Sequence, residues 1–580
     1  MAAASDEVAD LRRTTGVLKA FDGDHSCVAK GVARGEYAFW LGSGISRCVA
    51  PGVPDLLRKV LAFLRQRVEP GNPDCEHRSA LVEIFGIAGL TKDDIDGIDV
   101  EKLVDAWPGI NAIVDRLGDK YSAVLDVSVD GHPEPDYLIW EAIDVHGTYG
   151  DWSLEPDAEH LCVAILMLEG VVPVAATANW DGLVEAAVRR LQGSTDAVLR
   201  VVVDPCDFRA PQARSDLVKF HGCAVRAAQR PEDSRHLLVG RLSQIGAWME
   251  NTEYALTRDF LVQLVATRRS LVIGLSAQDQ NIHGVLAKAN VQLAWKWPDE
   301  RSAVAFALEK LTQQQTNVLK IIYANGQYEG NRKDIDAAAL LGTYAKPLLA
   351  GLVLFVLSDK LSALLETLRN EPWGASEVAD LQTGVRSLRD LVAATPGTDC
   401  AGFVTRLVAA VSLLLSVFRT GKPPANGSRR YEALTVQPIL ASGADPNIDT
   451  EALRNLAVAA SLLGHGTLDG RWNLEIGDAA SPQDGVCTLT SIDTGRSKVF
   501  LVQDEQILSR LAGGGYANLE DPDVLAIHAR ENMPRQQRSP ASEYGRSGRS
   551  AAREVAIETI VRETSSVAEL FERFRYEAAI

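Results

Sequence analysis

Short apolar runs alternate with amphipathic stretches over the first 300 residues, and this alternation restricts the fold more than any other feature of the chain. The runs with the apolar, β-rich character of buried strands lie at 37–41, 171–177, 198–203, 217–220 and 270–274. Helical periodicity appears between several of them, as in residues 181–193. Strands that alternate with helices are typical of βαβ units. The sequence therefore predicts an α/β fold, built on a Rossmann-like parallel sheet with helices on both faces.

The gap between the first two predicted strands is far longer than a single crossover connection. Residues 53–68 and 91–107 within this gap both have helical periodicity. We therefore predict a first domain over residues 1–300 that carries a helical insertion at about 56–150.

The pattern changes after residue 300, where helical periodicity dominates. Predicted helices lie at 303–320, 334–370, 376–394 and 401–419, so a helical domain is expected over 301–420. Residues 420–430 contain Pro and Gly and are predicted to be a linker or long loop. The last part, 431–580, is predicted to be an α+β region. Its expected elements are a helix at 449–464, a small β element within 471–478 and 485–504, a flexible Arg-rich segment at 533–553 and a closing helix at 553–577.

Charge and cysteine content limit the classes of protein to consider. The formal charge of −18 argues against a protein that coats nucleic acid. The eight cysteines form no CxxC pair, and no signal peptide is recognised, so we expect a cytoplasmic protein with reduced thiols and no metal.

The apolar stretch 403–418 contains Arg406 and is short for a bilayer, so we predict a buried helix and no membrane contact. The Arg-rich segment is predicted to be a solvated linker in preference to a nucleic-acid contact.

Glycine and polar residues follow four of the predicted strands. The stretches are Gly42-Ser43-Gly44-Ile45-Ser46; Thr177 with Asn179 and Asp181; His221; and Gly274 with Ser276, Asp279 and Asn281. Each has a purely structural alternative, such as a turn for the glycines or a helix N-cap for Asp181. However, open α/β sheets bind ligands at the carboxyl ends of their strands, where glycine turns let backbone N–H groups approach an anion. Together the four stretches predict a ligand site at this edge.

These motifs and their order resemble the sirtuin-like family. Gly42-Ser43-Gly44-Ile45-Ser46 is similar to the family's Gly-Ala-Gly-Ile-Ser, and Gly52-Val53-Pro54-Asp55 to its Gly-Ile-Pro-Asp. Thr177-Ala178-Asn179-Trp180-Asp181 is similar to Thr-Gln-Asn-Ile-Asp, His221 matches the catalytic histidine, and Gly274-Leu275-Ser276 resembles the late Gly-Thr-Ser turn. The resemblance covers about residues 25–300. It implies that NAD binds in the Rossmann-like domain and that the bond between nicotinamide and ribose is cleaved.

One departure from the family indicates a particular branch. Protein-deacylating sirtuins carry two CxxC pairs in a zinc ribbon, and this chain has none. The Lys-Phe-His-Gly sequence at 219–222 and the Thr-Ala-Asn-Trp-Asp form resemble the divergent branch found in bacterial anti-phage effectors, which hydrolyse NAD itself. The resemblance therefore implies an NAD+ glycohydrolase of abortive infection, with NAD as substrate and without a metal.

The same resemblance implies roles for individual residues. Asn179 would position the attacking water and the ribose hydroxyls, and His221 would act as general base or orient the ribose. Asp55 and Asp181 are expected to contact the ribose or the nicotinamide. The other predicted cofactor-binding residues are Gly42, Ser43, Gly44, Ser46, Thr177, Gly274, Ser276 and Asp279.

Uncontrolled hydrolysis of NAD would kill the host, so the resemblance also implies regulation. We expect a homo-oligomer that is activated by assembly, by a partner protein such as a HerA-type ATPase or a short prokaryotic Argonaute, or by a phage-derived trigger. The chain has no Walker motif, so an ATPase would be a separate protein. Two alternatives stay open: a zinc-free protein deacylase, and a sensor module that binds NAD or ADP-ribose without cleaving it.

Overall fold

The structure of the protein is a computed structural model. It describes residues 13–580 apart from 152, 371, 395–399, 426–427, 429, 439–448, 493 and 532–550. Most of the Arg-rich segment predicted at 533–553 lies outside the described residues.

A six-stranded sheet with only parallel pairs forms the centre of the N-terminal half. Its strands are β1 (Tyr37–Leu41), β2 (Val174–Thr177), β3 (Leu199–Val202), β4 (Ser215–Lys219), β5 (Arg269–Ile273) and β6 (Val304–Ala307). They lie in the order β3-β4-β2-β1-β5-β6, so the first strand is central. This arrangement confirms the predicted Rossmann-like sheet and all five strands expected from the sequence.

Both faces of the sheet are covered, which explains why its strands are apolar throughout. Tyr37, Phe39 and Leu41 of β1 belong to one hydrophobic core, whereas Ala38 and Trp40 belong to another. Successive side chains of a strand point to opposite faces, so the two cores lie on the two sides of the sheet. Every residue of β1 is buried.

Helices make up the rest of this half of the chain. In chain order they are α1 (Thr14–Asp22), α2 (Ser26–Ala33), α3 (Val53–Gln66), α4 (Glu76–Ile87), α5 (Lys92–Asp96), α6 (Ile110–Gly118), α7 (Tyr121–Val124), α8 (Val145–Thr148), α9 (Ala158–Leu168), α10 (Leu183–Gln192), α11 (Ala224–Gln229), α12 (Pro231–Ser234), α13 (Leu242–Trp248), α14 (Ala255–Thr267), α15 (Gln280–Gln292), α16 (Gln313–Ile322) and α17 (Gln327–Ala339).

The helical insertion has a hydrophobic core of its own. Its described residues form α3 to α8, together with short 3₁₀ and π-helical turns such as Leu138–Ala142. Buried residues that include Leu61, Phe85 and Leu117 pack together there. Trp180, in the loop after β2, packs against this core, so the insertion borders the carboxyl edge of the sheet.

The helix predicted at 303–320 is wrong at its N-terminal end. Residues Val304–Ala307 form β6, which pairs in parallel with β5, and α16 begins only at Gln313. The alanines and valine of this run suit a helix or a buried strand, and pairing with the free edge of β5 decides in favour of the strand. The sheet therefore extends past residue 300. The single helical segment predicted at 334–370 is likewise divided, with Gly342 at φ +66° between two helices.

Four long helices follow and connect the two halves of the protein. They are α18 (Ala345–Leu365), α19 (Ala375–Ala393), α20 (Cys400–Thr420) and α21 (Thr450–Leu468). The first half of α18, including Leu348 and Phe355, packs in the core on one face of the parallel sheet. Its last residues, Leu364 and Leu365, belong to the core of the C-terminal region. The helix thus passes from one core to the other.

A mixed five-stranded sheet completes the C-terminal region and confirms the predicted small β element. The elements are β7 (Trp472–Ile476), β8 (Cys487–Ser491), β9 (Gly495–Val502), α22 (Glu505–Gly513), β10 (Val524–His528), β11 (Arg553–Ala556), α23 (Ile557–Glu563) and α24 (Val567–Ala578). The first three strands are antiparallel, and β9, β10 and β11 are parallel. The closing helix predicted at 553–577 is wrong at its start, because residues 553–556 pair with β10 and two helices follow.

In the part of the chain that the structure describes, two helices are long and apolar enough to cross a membrane by length and composition. They are Ala345–Leu368, with 72% of its most apolar window buried, and Gly402–Thr420, with 44%. Buried core helices pass the same test, so this finding is weak evidence for a membrane span. The charged side chain of Lys360 in the first of them pairs inside the fold with Glu169.

Candidate active site

The loops after the parallel strands meet at the carboxyl edge of the sheet, as the sequence predicts. The first close contact is between two glycine turns. Gly42 N–H donates to the carbonyl of Ile273 (3.0 Å), and Gly44 N–H donates to the carbonyl of Gly274 (2.9 Å). A Cβ at Gly42 would lie 2.4 Å from the Gly274 oxygen, and Gly274 itself has φ +67°. Glycine is therefore required on both sides of this contact, and the Gly42 and Gly44 amides are used within the chain.

Ser46 lies at the centre of a buried polar cluster beneath the glycine turn. Its Oγ is 3.1 Å from His160 Nε2, 3.0 Å from Asp181 Oδ2 and 3.4 Å from Asn179 Nδ2. Ser46, His160 and Asp181 are 2%, 0% and 7% exposed. The serine hydroxyl thus connects the loop after β1, the first turn of α9 and the loop after β2.

The direction of these hydrogen bonds follows from the backbone around His160. The N–H of Asp157 donates to His160 Nδ1 (3.3 Å), so Nδ1 is the acceptor nitrogen. Burial lowers the pKa of His160, which keeps the ring neutral. The neutral ring therefore carries its proton on Nε2 and donates it to Ser46, whose hydroxyl donates to Asp181. Ser46 is oriented as a hub that holds Asn179, and not as a nucleophile activated by His160.

Asp181 and Asp279 each serve a helix and the site at once. Asp181 Oδ1 accepts from Leu183 N–H at the start of α10 (3.1 Å), while its Oδ2 accepts from Ser46. Asp279 Oδ1 accepts from Asn281 N–H at the start of α15 (2.8 Å), while its Oδ2 faces His221. The Asp181 carboxylate therefore accepts one hydrogen bond at the start of α10 and another from Ser46, while its expected contact with the ribose or the nicotinamide stays a prediction.

His221 forms a second polar group at the tip of β4. Its Nε2 lies 3.0 Å from Asp279 Oδ2 and 3.5 Å from Asn281 Nδ2, and the residue is 4% exposed. Burial alone would raise the pKa of Asp279, but His221 and the backbone N–H of Asn281 outweigh it and lower that pKa. An ionised Asp279 favours the proton of His221 on Nε2, which leaves Nδ1 as the nitrogen with a free lone pair.

Lys219, two residues before His221, fixes the loop that carries Asn179. This lysine is 1% exposed, and its Nζ lies 3.5 Å from the Trp180 carbonyl, contacts the Asp181 carbonyl and is 3.1 Å from Glu185 Oε1. Burial favours the neutral amine, but Cys223, Glu185 and Asp181 together raise the pKa of Lys219, so it stays charged. The ammonium therefore binds the β2 loop to the end of β4.

The remaining predicted residues occupy three kinds of position. Thr177 is buried, and its Oγ1 accepts from the N–H of Asn179 (3.0 Å). Ser43 and Ser276 are exposed on the two glycine turns. Asp55 is outside the Ser46 cluster, because it lies in the first turn of α3 and accepts from Gly52 N–H (3.2 Å). The structure thus gathers Ser46, Asn179 and Asp181 in one network and His221 with Asp279 in another.

A pocket of about 560 Å³ opens beside this edge. It is lined by the loop Arg47–Pro51, by Asp55, Arg58, Lys59 and Ala62 of α3, and by Val104 and Asp105 of the insertion. Its volume is within the range of pockets that hold small ligands or cofactors. The pocket begins one residue after Ser46, and its lining contains three cationic and two acidic side chains, of which Arg58 and Asp105 form an ion pair (3.0 Å).

His160 and Lys219 were not among the residues predicted from the sequence. The only local signal for His160 is its place three residues after the N-cap Asp157. Among the described residues, no group of three or more His, Cys, Asp or Glu side chains is arranged to hold a metal, and none of the eight cysteines forms a disulfide.

Comparison with known proteins assigns the same part of the chain. Residues 173–322 match the family model of the SIR2-like domain. No curated protein matches the chain. The matched segment runs from β2 to α16 and contains Asn179, His221 and Asp279, whereas the Gly42–Ser46 turn lies before it. The match fits NAD-related enzyme activity at the level of the family. Residues 173–322 of the chain are therefore similar to the SIR2-like domain.

Proposed function

We propose that the protein is an NAD+ glycohydrolase, which cleaves the bond between nicotinamide and ribose and releases ADP-ribose or a cyclised form. The observation that supports this most is the placement of Asn179 and His221 after the adjacent parallel strands β2 and β4, each held by a separate buried polar network. The SIR2-like match over the same residues supports NAD as the substrate.

Asn179 is the residue we assign to the sugar and the water. Ser46 and Thr177 fix its position, because Ser46 accepts from the side-chain amide and Thr177 accepts from the backbone N–H. With Nδ2 directed to Ser46, Oδ1 is the side-chain atom left to accept a hydrogen bond from a ribose hydroxyl or a water. Partial exposure of Asn179 leaves this atom within reach of a ligand.

His221 is the residue we assign to the proton. In the reaction a water oxygen bonds to the ribose carbon, the glycosidic bond breaks, nicotinamide leaves with the bonding electron pair, and one proton is released. Asp279 Oδ2 lies 3.0 Å from Nε2 and positions the ring, so Nδ1 is the nitrogen that can accept the proton or a hydrogen bond from a ribose hydroxyl. Positioned acid–base catalysis of this kind contributes about 10²- to 10⁴-fold.

We further propose that the activity is regulated and serves anti-phage defence by depleting NAD. The resemblance of residues 177–181 and 219–222 to the divergent effector branch supports this role, as does the lack of zinc-ribbon CxxC pairs. The helices α18 to α21 are the region for control by self-assembly or by a partner such as a HerA-type ATPase or a short Argonaute. The continuous core between α18 and the parallel sheet supports a mechanical connection.

Nicotinamide release from NAD by the purified protein tests the enzymatic proposal. We expect release without any acylated peptide, and loss of about 10²-fold or more in His221→Gln and Asn179→Ala variants that remain folded. His146→Gln, at an exposed histidine of the insertion, is the matched control and should retain full activity. Release only with acyl-peptide would favour a deacylase, and binding of NAD without release would favour a sensor.

Dependence on concentration tests the proposal of regulation. We expect the specific activity to be low for the dilute protein and to rise with protein concentration or with the added partner, as measured beside sedimentation of the same samples. A rate per molecule that stays high and constant on dilution would contradict control by assembly. In cells, phage infection should lower NAD when the wild-type protein is present, and the His221→Gln variant should abolish this effect.

A further inference from the structure

We infer that Lys346, in the first turn of α18, is a positioning residue for Asn179 and connects the helical region to the candidate active site. The inference rests on the proposed function and extends it, because Lys346 lies outside the segment that matches the SIR2-like domain. It is carried by a continuous series of polar contacts between the two parts of the chain.

Lys346 contacts both segments that meet at the Ser46–His160 hydrogen bond. Its Nζ lies 2.7 Å from Asp157 Oδ2 and 3.5 Å from Cys48 Sγ. Cys48 follows Ser46 by two residues, and Asp157 precedes His160 by three. One ammonium group therefore contacts both the loop after β1, at the exposed Cys48, and the start of α9.

Asp157 connects Lys346 to His160 through hydrogen bonds to both residues. Its Oδ1 caps α9 by accepting from Ala158 N–H (2.7 Å). Its Oδ2 binds the distant Lys346, so the two carboxylate oxygens have separate partners, as in Asp181 and Asp279. Its own N–H donates to His160 Nδ1, which sets the tautomer that donates to Ser46. If Asp157 moved, the hydrogen bond that His160 Nε2 donates to Ser46 would change. The hydrogen bond between Ser46 and the Asn179 side chain would then change as well.

The position of α18 decides where Lys346 lies. Leu348 and Leu349 of this helix pack in the same core as Ile45 of the glycine turn, so the position of the helix start depends on this core. Glu159 Oε2 also lies near this contact, 3.8 Å from Lys346 Nζ. A rotation or shift of α18, caused by assembly or by a partner, would weaken the contacts of Lys346 with both Cys48 and Asp157.

Lys346→Met tests the inference, with Lys346→Arg as the conservative variant and Lys333→Met, an exposed lysine of α17, as the matched control. The pair formed by Lys346 is partly exposed, with 32% of the lysine side chain accessible, so its loss should change thermal stability little. We expect the Met variant to lose about 10- to 100-fold in kcat, with a smaller change in KM, because Asn179 is misplaced. We expect Lys346→Arg to restore most of kcat.

Hydrogen–deuterium exchange of the full-length protein without NAD supplies a readout that does not depend on hydrolysis. Exchange in residues 43–48 and 177–181 should rise in Lys346→Met and stay at the wild-type level in Lys333→Met. The inference is overturned if exchange in these residues is unchanged in Lys346→Met. It is also overturned if kcat falls only in proportion to stability and Lys346→Arg does not restore it. A wild-type protein that releases no nicotinamide contradicts the proposed function, while the exchange result still decides the role of Lys346.

Discussion

Gly44 N–H donates to the carbonyl of Gly274 across 2.9 Å, and neither residue has room for a side chain. A Cβ at Gly44 would lie 2.6 Å from Gly274 Cα, and one at Gly274 would lie 2.8 Å from Ile45 N. Gly44 and Gly274 are 230 residues apart in the chain, but the strands that they follow, β1 and β5, are adjacent in the sheet. Their direct contact explains why a glycine is present in each turn and gives the first prediction.

Gly274→Ala should destabilise the protein by about 1 to 3 kcal/mol from its positive φ alone, with a further cost from the contact with Ile45. Gly246→Ala is the control, since this glycine of α13 has open space around its Cβ position and should gain about 0.5 to 1 kcal/mol. Urea denaturation measures both. Equal effects of the two substitutions would contradict the close packing of the glycine turns.

Ser46→Ala should destabilise the fold by about 1 to 3 kcal/mol, because it leaves the buried His160 and Asp181 without their common partner. The same change removes the acceptor of the Asn179 amide, so nicotinamide release should also fall. Ser79→Ala, in α4, removes one hydroxyl that donates only to its own helix backbone and serves as control. Full activity in Ser46→Ala would show that Asn179 does not depend on this hub.

Lys219→Met should cost about 3 to 5 kcal/mol, because it leaves the carboxylate of Glu185 buried without its cation. Adding Glu185→Gln should recover part of this loss, since the double variant contains no buried unpaired charge. Lys498→Met breaks a more exposed pair with Asp521 and should cost at most about 1 kcal/mol. Free energies of unfolding measured by denaturant titration give the coupling, and strictly additive effects would contradict a direct Lys219–Glu185 interaction.

Glu159→Gln should change how stability depends on pH. Burial raises the pKa of Glu159 to about 7 against an ordinary value of 4.5, with Lys346 opposing in part, and its Oε2 has no hydrogen-bond partner among the described residues. The native state therefore binds the proton more tightly than the unfolded state, and the stability that this contributes is present below pH 4.5 and lost as pH rises through 7.

Between pH 4.5 and 7, the free energy of unfolding of Glu159→Gln should accordingly rise by about 3 kcal/mol relative to that of the wild type. His160 has a lowered pKa and the opposite pH dependence, but it is present in both proteins and cancels in the comparison. Glu83→Gln, at an exposed glutamate, should shift the curve by a constant. Parallel curves for Glu159→Gln and wild type would contradict a protonated Glu159.

The parallel sheet could be predicted from the sequence because the strand signal is local. The apolar run 37–41 coincides with β1, since each of its residues is buried by a helical layer on one face or the other. The sequence of β6 did not by itself predict a strand. Val304–Ala307 continues into a segment that favours helix, and only the free edge of β5 makes it a strand.

The sequence alone determined which loops reach the carboxyl edge, because parallel strands place the loops that follow them at one edge. Asn179, His221 and Asp279 could be assigned there from their positions after apolar runs. Their partners were decided only by the tertiary structure. His160 lies 114 residues from Ser46, and Lys346 lies 189 residues from Asp157. Such hydrogen bonds depend on how distant helices pack against the sheet, and that packing leaves no periodic pattern in the chain.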